Sequence, residues 1–178
     1  MEKDERQVAE WYNTLSSSYD ELYGKEQSQK HQAVLEFLGT RRFQVLIDIG
    51  CGTGTFLKQS GEIYDHAIGI DLSNKMLRIA KKRKTPNTDY VLASSSSLPI
   101  KNASSDCTVS ISTARAESNL PMLIADLERI SHKDSFLAFT LFQQPGAPNP
   151  IFLAKRARST TISERETLYF LRLASALK

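Results

Sequence analysis

The sequence predicts an α/β fold in which helices cover both faces of a mostly parallel sheet, and three observations carry the prediction. From Val45 onward, apolar runs of strand length alternate with stretches of helical spacing. One of these strands runs straight into glycine at alternate positions, Gly50, Gly52 and Gly54, and then into a helix. Ser73 follows a second strand where a hydroxyl caps the helix bearing Met76, Leu77 and Ala80. Repeated strand–helix alternation of this kind is the pattern of a covered parallel sheet.

In chain order, residues 5–38 read as helical, with Val8, Trp11, Tyr12 and Leu15 on one face and Ala33, Val34, Phe37 and Leu38 on another. Residues 43–49 form a buried-type strand, followed by a short helix from Thr53. Residues 67–71, 90–93, 107–112 and 136–142 are the next four strands. Between the last two, Leu120, Leu123, Ile124, Leu127 and Ile130 recur at helical spacing. Pro145, Pro148 and Pro150 then break the pattern, and a short helix from Ile151 precedes a hairpin whose final strand covers residues 167–173. The serines at 16–18 and 94–97 sit between patterned segments and read as turns or helix starts.

At 178 residues the chain holds one sizeable core, and 40% hydrophobic with 24% charged residues excludes a disordered protein. No apolar run approaches the roughly 18 residues of a membrane span. The opening MEKDERQVAEWYN carries four acids before Trp11 and no apolar stretch, which argues against a secretory leader. Cys51 and Cys107 are too few for a disulfide framework and lack metal-ligand spacing, so a reducing cytoplasm and no metal site are expected. Charge is uneven. Residues 1–40 hold four basic against eight acidic residues, and residues 151–178 hold six against two. Lys81, Lys82, Arg83 and Lys84 form a basic run. Such asymmetry suits either a polyanion-binding face or a solvated helix end and tail, and the lack of interleaved aromatics favours the latter.

The glycine turn is the sharpest feature. Ligands of open α/β sheets bind outside the carboxyl ends of the strands, where this turn would lie. A dinucleotide site has its third glycine three residues after the second. Here Gly54 comes one residue early and Thr55 holds that place. Asp48, just before the turn, would repel a diphosphate but suits an ammonium group. Asp71, 21 residues after Gly50, can accept hydrogen bonds from both hydroxyls of a ribose. Together these point to S-adenosylmethionine, which carries an ammonium and no phosphate.

These residues resemble the class I S-adenosylmethionine-dependent methyltransferases, especially the small-molecule and tRNA-modifying branch related to the ubiquinone and menaquinone enzymes. Asp48 to Gly54, Gly69 to Ser73 with Met76 and Leu77, Leu98-Pro99, and Ser105-Asp106 carry the resemblance, which spans residues 45–142. It implies a Rossmann-like three-layer αβα sandwich with seven strands, the last antiparallel. It implies one domain over residues 1–178, divided into an N-terminal helical lid (1–40), a cofactor-binding core (43–142) and a C-terminal helix and hairpin (150–178). It also implies roles: Gly50 and Gly52 beside the methionine part, Asp71 at the ribose, Leu72 and Met76 against the adenine, and Tyr12 or Tyr19 closing over the cofactor. Cys51, Gly54, Ser94, Ser95 and Ser110 complete the candidate cofactor set.

This sequence departs from the family in three places. Ser94 stands where an acid often contacts the adenine amine, and a hydroxyl accepts more weakly than a carboxylate. Residues 131–135, Ser-His-Lys-Asp-Ser, replace a Pro-Gly-Gly turn. The region after the fifth strand is short, leaving little material for binding a substrate. Bland alternatives also stand. Asp48 and Asp71 could cap local turns, Met76 and Leu72 could be core, the tyrosines could dock helices, and Cys51 could be a small filler. His31, His66 and His132 have no acid nearby in sequence, so no catalytic histidine is expected. Arg115, after the fourth strand, could hold an anionic group or lie on the surface.

The expected function is methyl transfer from S-adenosylmethionine to an unidentified small molecule, leaving S-adenosylhomocysteine. The alternative is an RNA- or protein-directed enzyme that draws missing substrate surface from a small activator subunit. A further alternative is a non-catalytic cofactor-binding subunit.

Overall fold

The computed structural model describes residues 5–115, 120–142, 144, 157–163 and 165–173. The helices are α1 (Glu5–Leu15), α2 (Tyr19–Leu38), α3 (Thr55–Gln59), α4 (Asn74–Lys82) and α5 (Leu120–Ile130). The strands are β1 (Phe43–Ile49), β2 (Tyr64–Asp71), β3 (Thr88–Leu92), β4 (Ser105–Arg115), β5 (Ser131–Phe142), β6 (Arg158–Ser163) and β7 (Glu166–Arg172).

The strands form one seven-stranded sheet in the order β3-β2-β1-β4-β5-β7-β6. β1 pairs in parallel with both β2 and β4, and β7 runs antiparallel to β5 and β6. The chain therefore winds outward from β1 on one side and from β4 on the other. The crevice where that order reverses lies at the carboxyl ends of β1 and β4.

Alternation along the strands sends side chains to two separate cores. On one face Leu46, Val109, Ala138 and Phe170 pack with Val34 and Leu38 of α2 and with Phe56 and Leu57 of α3. On the other, Ile47, Ile49, Phe139 and Tyr169 pack with Leu123, Leu127 and Ile130 of α5. β1 is covered on both sides, which is why it reads as a nearly unbroken apolar run. Gln44, exposed near its start, and buried Asp48 are the polar residues inside it.

Several boundaries differ from expectation: the helical stretch 5–38 is two helices, β2 begins at Tyr64, and the last strand covers Glu166–Arg172. The helix expected from Thr53 starts at Thr55, because Gly54 takes a left-handed φ of +75° that no right-handed helix tolerates. The third strand spans residues 88–92 rather than 90–93. β4 continues past Ser112, whose φ of +60° marks a register shift against β5 between Ser110 and Ala114. Residues 131–135 do not form a turn but open β5. Ser131 pairs with Ser105, Ser135 Oγ donates to the Ser105 carbonyl at 2.7 Å, and Asp134 absorbs the irregularity at φ +69°. The helix expected from Ile151 lies outside the described residues.

Candidate active site

The three glycines after β1 do different jobs. All have positive φ, +76° at Gly50, +52° at Gly52 and +75° at Gly54. The backbone N–H groups of Gly50 and Cys51 both donate to the Ile70 carbonyl, at 2.7 and 2.9 Å, which ties the loop to β2. A Cβ at Gly50 would lie 2.0 Å from Thr113 Oγ1, and one at Gly54 would lie 2.8 Å from Tyr90 Oη and 2.9 Å from Ala80 Cβ. Packing alone demands those two glycines. A Cβ at Gly52 would meet nothing within 4 Å. That position faces open space.

The space is a cleft of about 220 Å3 between α2 and the glycine loop. Tyr19, Asp20, Gly24, Gln27 and His31 of α2 form one wall. Asp48, Gly50, Cys51, Gly52 and Thr53 form the facing one. Asp48 is 2% exposed, and its Oδ2 makes no hydrogen bond among the described residues. Burial, reinforced by the nearby charge of Asp71, pushes its carboxyl up to about 8. A buried acceptor with no donor is costly, and a ligand ammonium in the cleft would supply the missing donor. This chemistry fits the amino-acid end of S-adenosylmethionine. Burial also raises the Tyr19 phenol, with Tyr12 and Asp71 adding to it, so Tyr19 enters the cleft as a neutral hydroxyl.

Asp71 organises the adjoining half. Its Oδ2 accepts from the Gly52 N–H at 2.9 Å and its Oδ1 from the Ser73 N–H at 2.8 Å. Burial raises its carboxyl, and the backbone donors oppose that shift. Ser73 Oγ accepts from the Met76 N–H at 3.2 Å, capping α4, and donates to Asn13 Oδ1 of α1 at 2.8 Å. Asn13 Oδ1 also accepts from the Lys75 N–H at 3.1 Å. Ser94 Oγ, beyond β3, donates to Glu5 Oε1 at 2.6 Å. α1 thus lies across the carboxyl ends of β2 and β3.

Of the predicted site residues, Tyr19, Asp48, Gly50, Cys51 and Gly52 line the one cleft, and Asp71 joins it through Gly52. Gly54 lies buried beneath it. Half-buried Leu72, Ser94 and Ser95 follow the ends of β2 and β3, and buried Met76 lies in α4, all outside the cleft walls. Ser110 is fully buried within β4, its hydroxyl unbonded among the described residues. Tyr12 packs edge-on against Tyr19 with ring centroids 6.2 Å apart. The Arg115 side chain and residues 116–119 lie outside the described residues.

Sequence reasoning missed Asp20, Gln27, His31 and Arg83. The signal for the helical ones was present. Positions 20, 24, 27 and 31 recur at helical spacing and give α2 a polar stripe. Arg83 was hidden in a run that otherwise behaves as a solvated end, since Lys81, Lys82 and Lys84 are exposed. Its Nε donates to the Thr53 carbonyl at 2.6 Å, and its Nη2 bonds the Asp20 carboxylate, whose other oxygen accepts from Thr53 Oγ1 at 2.6 Å. One guanidinium therefore ties α4, α2 and the glycine loop together. His31 is buried, with Nδ1 2.8 Å from Gln59 Oε1. Burial lowers its pKa, which favours the neutral ring.

A second polar knot closes the far end of the cleft wall. Lys30 Nζ lies 2.6 Å from Glu26, 2.5 Å from Glu166 and 2.9 Å from Ser112 Oγ. Gln27 Nε2 donates to the same Ser112 oxygen at 3.1 Å. The knot fastens the irregular end of β4 to α2.

The seven-stranded topology, the glycine loop at its reversal point and the two carboxylates at the ends of β1 and β2 together define a class of protein. The family model described as a methyltransferase domain matches residues 47–139, more than half of the chain. The chain belongs to the S-adenosylmethionine-dependent methyltransferase family. It is 32% identical over 134 residues to an uncharacterised protein of Methanocaldococcus jannaschii, covering 75% of this chain and 51% of that protein. It is 31% identical over 127 residues to an O-methyltransferase of Aspergillus nomiae, covering 67% and 56%. The chain thus spans about half the length of the curated relatives it matches. Among solved structures, a SAM-dependent methyltransferase from Aquifex aeolicus superposes with a TM-score of 0.67 at 16% identity, covering 97% of this chain and all of the other. A Haloferax volcanii methyltransferase in complex with the Trm112 activator superposes with a TM-score of 0.67 at 15% identity, covering 73% and 59%. No helix of the described residues is long and apolar enough to cross a membrane.

Proposed function

We propose that this chain, acting as one domain, binds S-adenosylmethionine at the carboxyl ends of β1 and β2 and transfers its methyl group to a small-molecule acceptor. The observation that carries this reading is the unbonded carboxylate oxygen of buried Asp48, facing a cleft left open at Gly52. Asp48 takes the ammonium of the cofactor, and Gly50, Gly52 and Cys51 flank its methionine chain. Asp71 takes the ribose hydroxyls with lone pairs that its backbone donors leave unused. Leu72, Met76, Ser94 and Ser95 border the base, and Tyr19 closes over the sulfur end from the N-terminal lid.

The cofactor supplies an intrinsically electrophilic methyl group. The bond from methyl to sulfur breaks as the bond to the acceptor forms, the electron pair stays on sulfur, and the acceptor's proton passes to solvent. The protein's contribution is alignment and exclusion of water, and aligned reactants gain effective molarities of roughly 10⁵ M or more without a dedicated base. Calorimetry with S-adenosylhomocysteine tests the binding, and transfer of labelled methyl into fractionated small-molecule extract tests the acceptor class. No heat at millimolar ligand overturns the cofactor reading.

A second reading has a macromolecular acceptor and a small partner subunit. The structural neighbour from Haloferax volcanii, which is in complex with the Trm112 activator, favours it. Methyl label entering RNA or protein only when such a subunit is added would support this reading over the first.

A further inference from the structure

We infer that the outer face of α4 docks the phosphate backbone of RNA; this deepens the second reading above and rests on it for the identity of the polyanion. No acidic residue stands between Asp71 and Asp89, a stretch that holds six cations. Arg83 is engaged by Asp20 and Thr53. The other five, Lys75, Arg78, Lys81, Lys82 and Lys84, are exposed, and none has an ion-pair partner among the described residues. At roughly 100° per residue, Lys75, Arg78 and Lys82 fall within about 60° of one another around α4, a stripe about 10 Å long. The buried residues of the helix, Met76, Leu77 and Ala80, lie on the opposite side.

The stripe works against the helix that carries it. Lys75 stands in the first turn of α4, which holds no acid, and a cation there opposes the helix dipole. Arg78 repels Lys75 three residues before it and Lys82 four residues after it. The helices α1 and α2 show the contrary arrangement. Arg6 pairs with Glu10 and Lys30 with Glu26, each four residues apart. A charged face built only for solvation and stability gains from acids interleaved in that way. In α4 the repulsion is left for an external anion to relieve.

Charge is all that this face offers. The exposed residues of α4 are Asn74, Lys75, Arg78, Lys81 and Lys82, with no apolar or aromatic side chain among them. A helix lying on a membrane turns an apolar face to lipid, and lysine is depleted in protein–protein interfaces. The apolar side of α4 already packs against β2 and β3. A chain of regularly spaced phosphates fits what remains, and without aromatics to stack on, the contact is to backbone and not to base. The stripe borders the cofactor crevice as well. Ser73, two residues past Asp71, caps α4, and Arg83 ties the other end of the helix to the glycine loop.

The test is fluorescence anisotropy of a labelled 20-nucleotide oligouridylate with the whole chain, without cofactor, as salt is raised. Binding at low salt is expected, with log affinity falling against log salt at a slope of about −2 or steeper, from three or more phosphate contacts. R78E/K82E should lose at least tenfold in affinity and flatten the slope by about one unit. K133E/R158E makes the same change in net charge on β5 and β6 and should bind as the wild type does. Calorimetry with S-adenosylhomocysteine should give one affinity for the wild type and R78E/K82E, which shows that the variant is folded. No binding by the wild type at low salt overturns the assignment, and so does an equal loss in the two double variants. Equal affinity for a DNA strand of the same length is expected of phosphate contacts, whereas tighter binding of DNA, or of polyglutamate, overturns the choice of RNA. Docking and transfer are separable: RNA that binds through α4 but takes up no labelled methyl overturns the second reading and leaves the stripe standing.

Discussion

The Lys30 ammonium lies 2.5 Å from Glu166 Oε2, with the two side chains 0% and 1% exposed. The pair joins α2, a wall of the cleft, to the first residue of β7. Taking one member away leaves a charge inside the protein without its counterpart, which costs about 3–5 kcal/mol, whereas replacing both with apolar groups is often neutral. K30M should therefore lower the urea midpoint sharply, and K30M/E166L should regain most of the loss. If both variants unfold at the wild-type midpoint, the pair has no structural weight.

Asp48 predicts opposite pH responses for stability and binding. Its carboxyl rises from 3.8 to about 8 on folding, so the folded state holds that proton more tightly than the unfolded one. The stability this gives is complete below pH 3.8 and is lost as pH rises through about 8. D48N removes this slope and should stabilise the ligand-free protein at pH 9, on the order of a few kcal/mol. Ammonium binding requires the ionised form, so binding S-adenosylhomocysteine releases a proton and tightens as pH rises towards 8. D48N should flatten that rise and weaken binding at least tenfold. Wild-type affinity that is level from pH 6 to 8 would contradict the ammonium assignment.

The glycines separate folding from binding. G54A drives a methyl into Tyr90 and Ala80, at 2.8 and 2.9 Å, and should destabilise the fold by about 2 kcal/mol or more. At Gly52 the added atoms enter open space, so the penalty is chiefly the left-handed backbone, about 1–2 kcal/mol. G52V should nonetheless abolish cofactor binding, because its side chain fills the cleft. Normal affinity in folded G52V would remove the cofactor from this loop.

Arg83 couples three elements through Thr53 and Asp20. R83K keeps the charge but loses the planar fork that reaches both partners. It should weaken cofactor affinity several-fold while the thermal midpoint moves by only a few degrees. Hydrogen exchange offers a direct check, as faster exchange in residues 52–55 is expected without change in the β1 amides.

Much of the fold could be read beforehand because the centre of the sheet has little freedom. β1 is covered on both faces, so its apolar run and its boundaries coincide. The glycine turn announced its own conformation, since three left-handed residues in five leave few other choices. The edges of β4 and β5 were less readable. Their ends are set by hydroxyl bonds such as Ser135 to the Ser105 carbonyl, which follow no periodicity. In the site, Asp48 and Tyr19 stood out by chemistry or resemblance, whereas Arg83 looked like any other member of a basic run. Its partners Asp20 and Thr53 are 63 and 30 residues away, a separation at which local pattern carries no information. Glu5 is the same case at a larger distance.

α1 contains no fully buried residue, and polar bonds of Glu5 and Asn13 tie it to the segments that follow β3 and β2. A helix attached in this way has little apolar area to lose on detaching, so its opening is nearly independent of the sheet beneath it. Residues 5–15 should therefore exchange their amide protons fast in the free protein and slow down when the cofactor binds at the ends of β1 and β2. The N-terminus then acts as a built-in reporter of occupancy, readable by mass spectrometry even before the methyl acceptor is known.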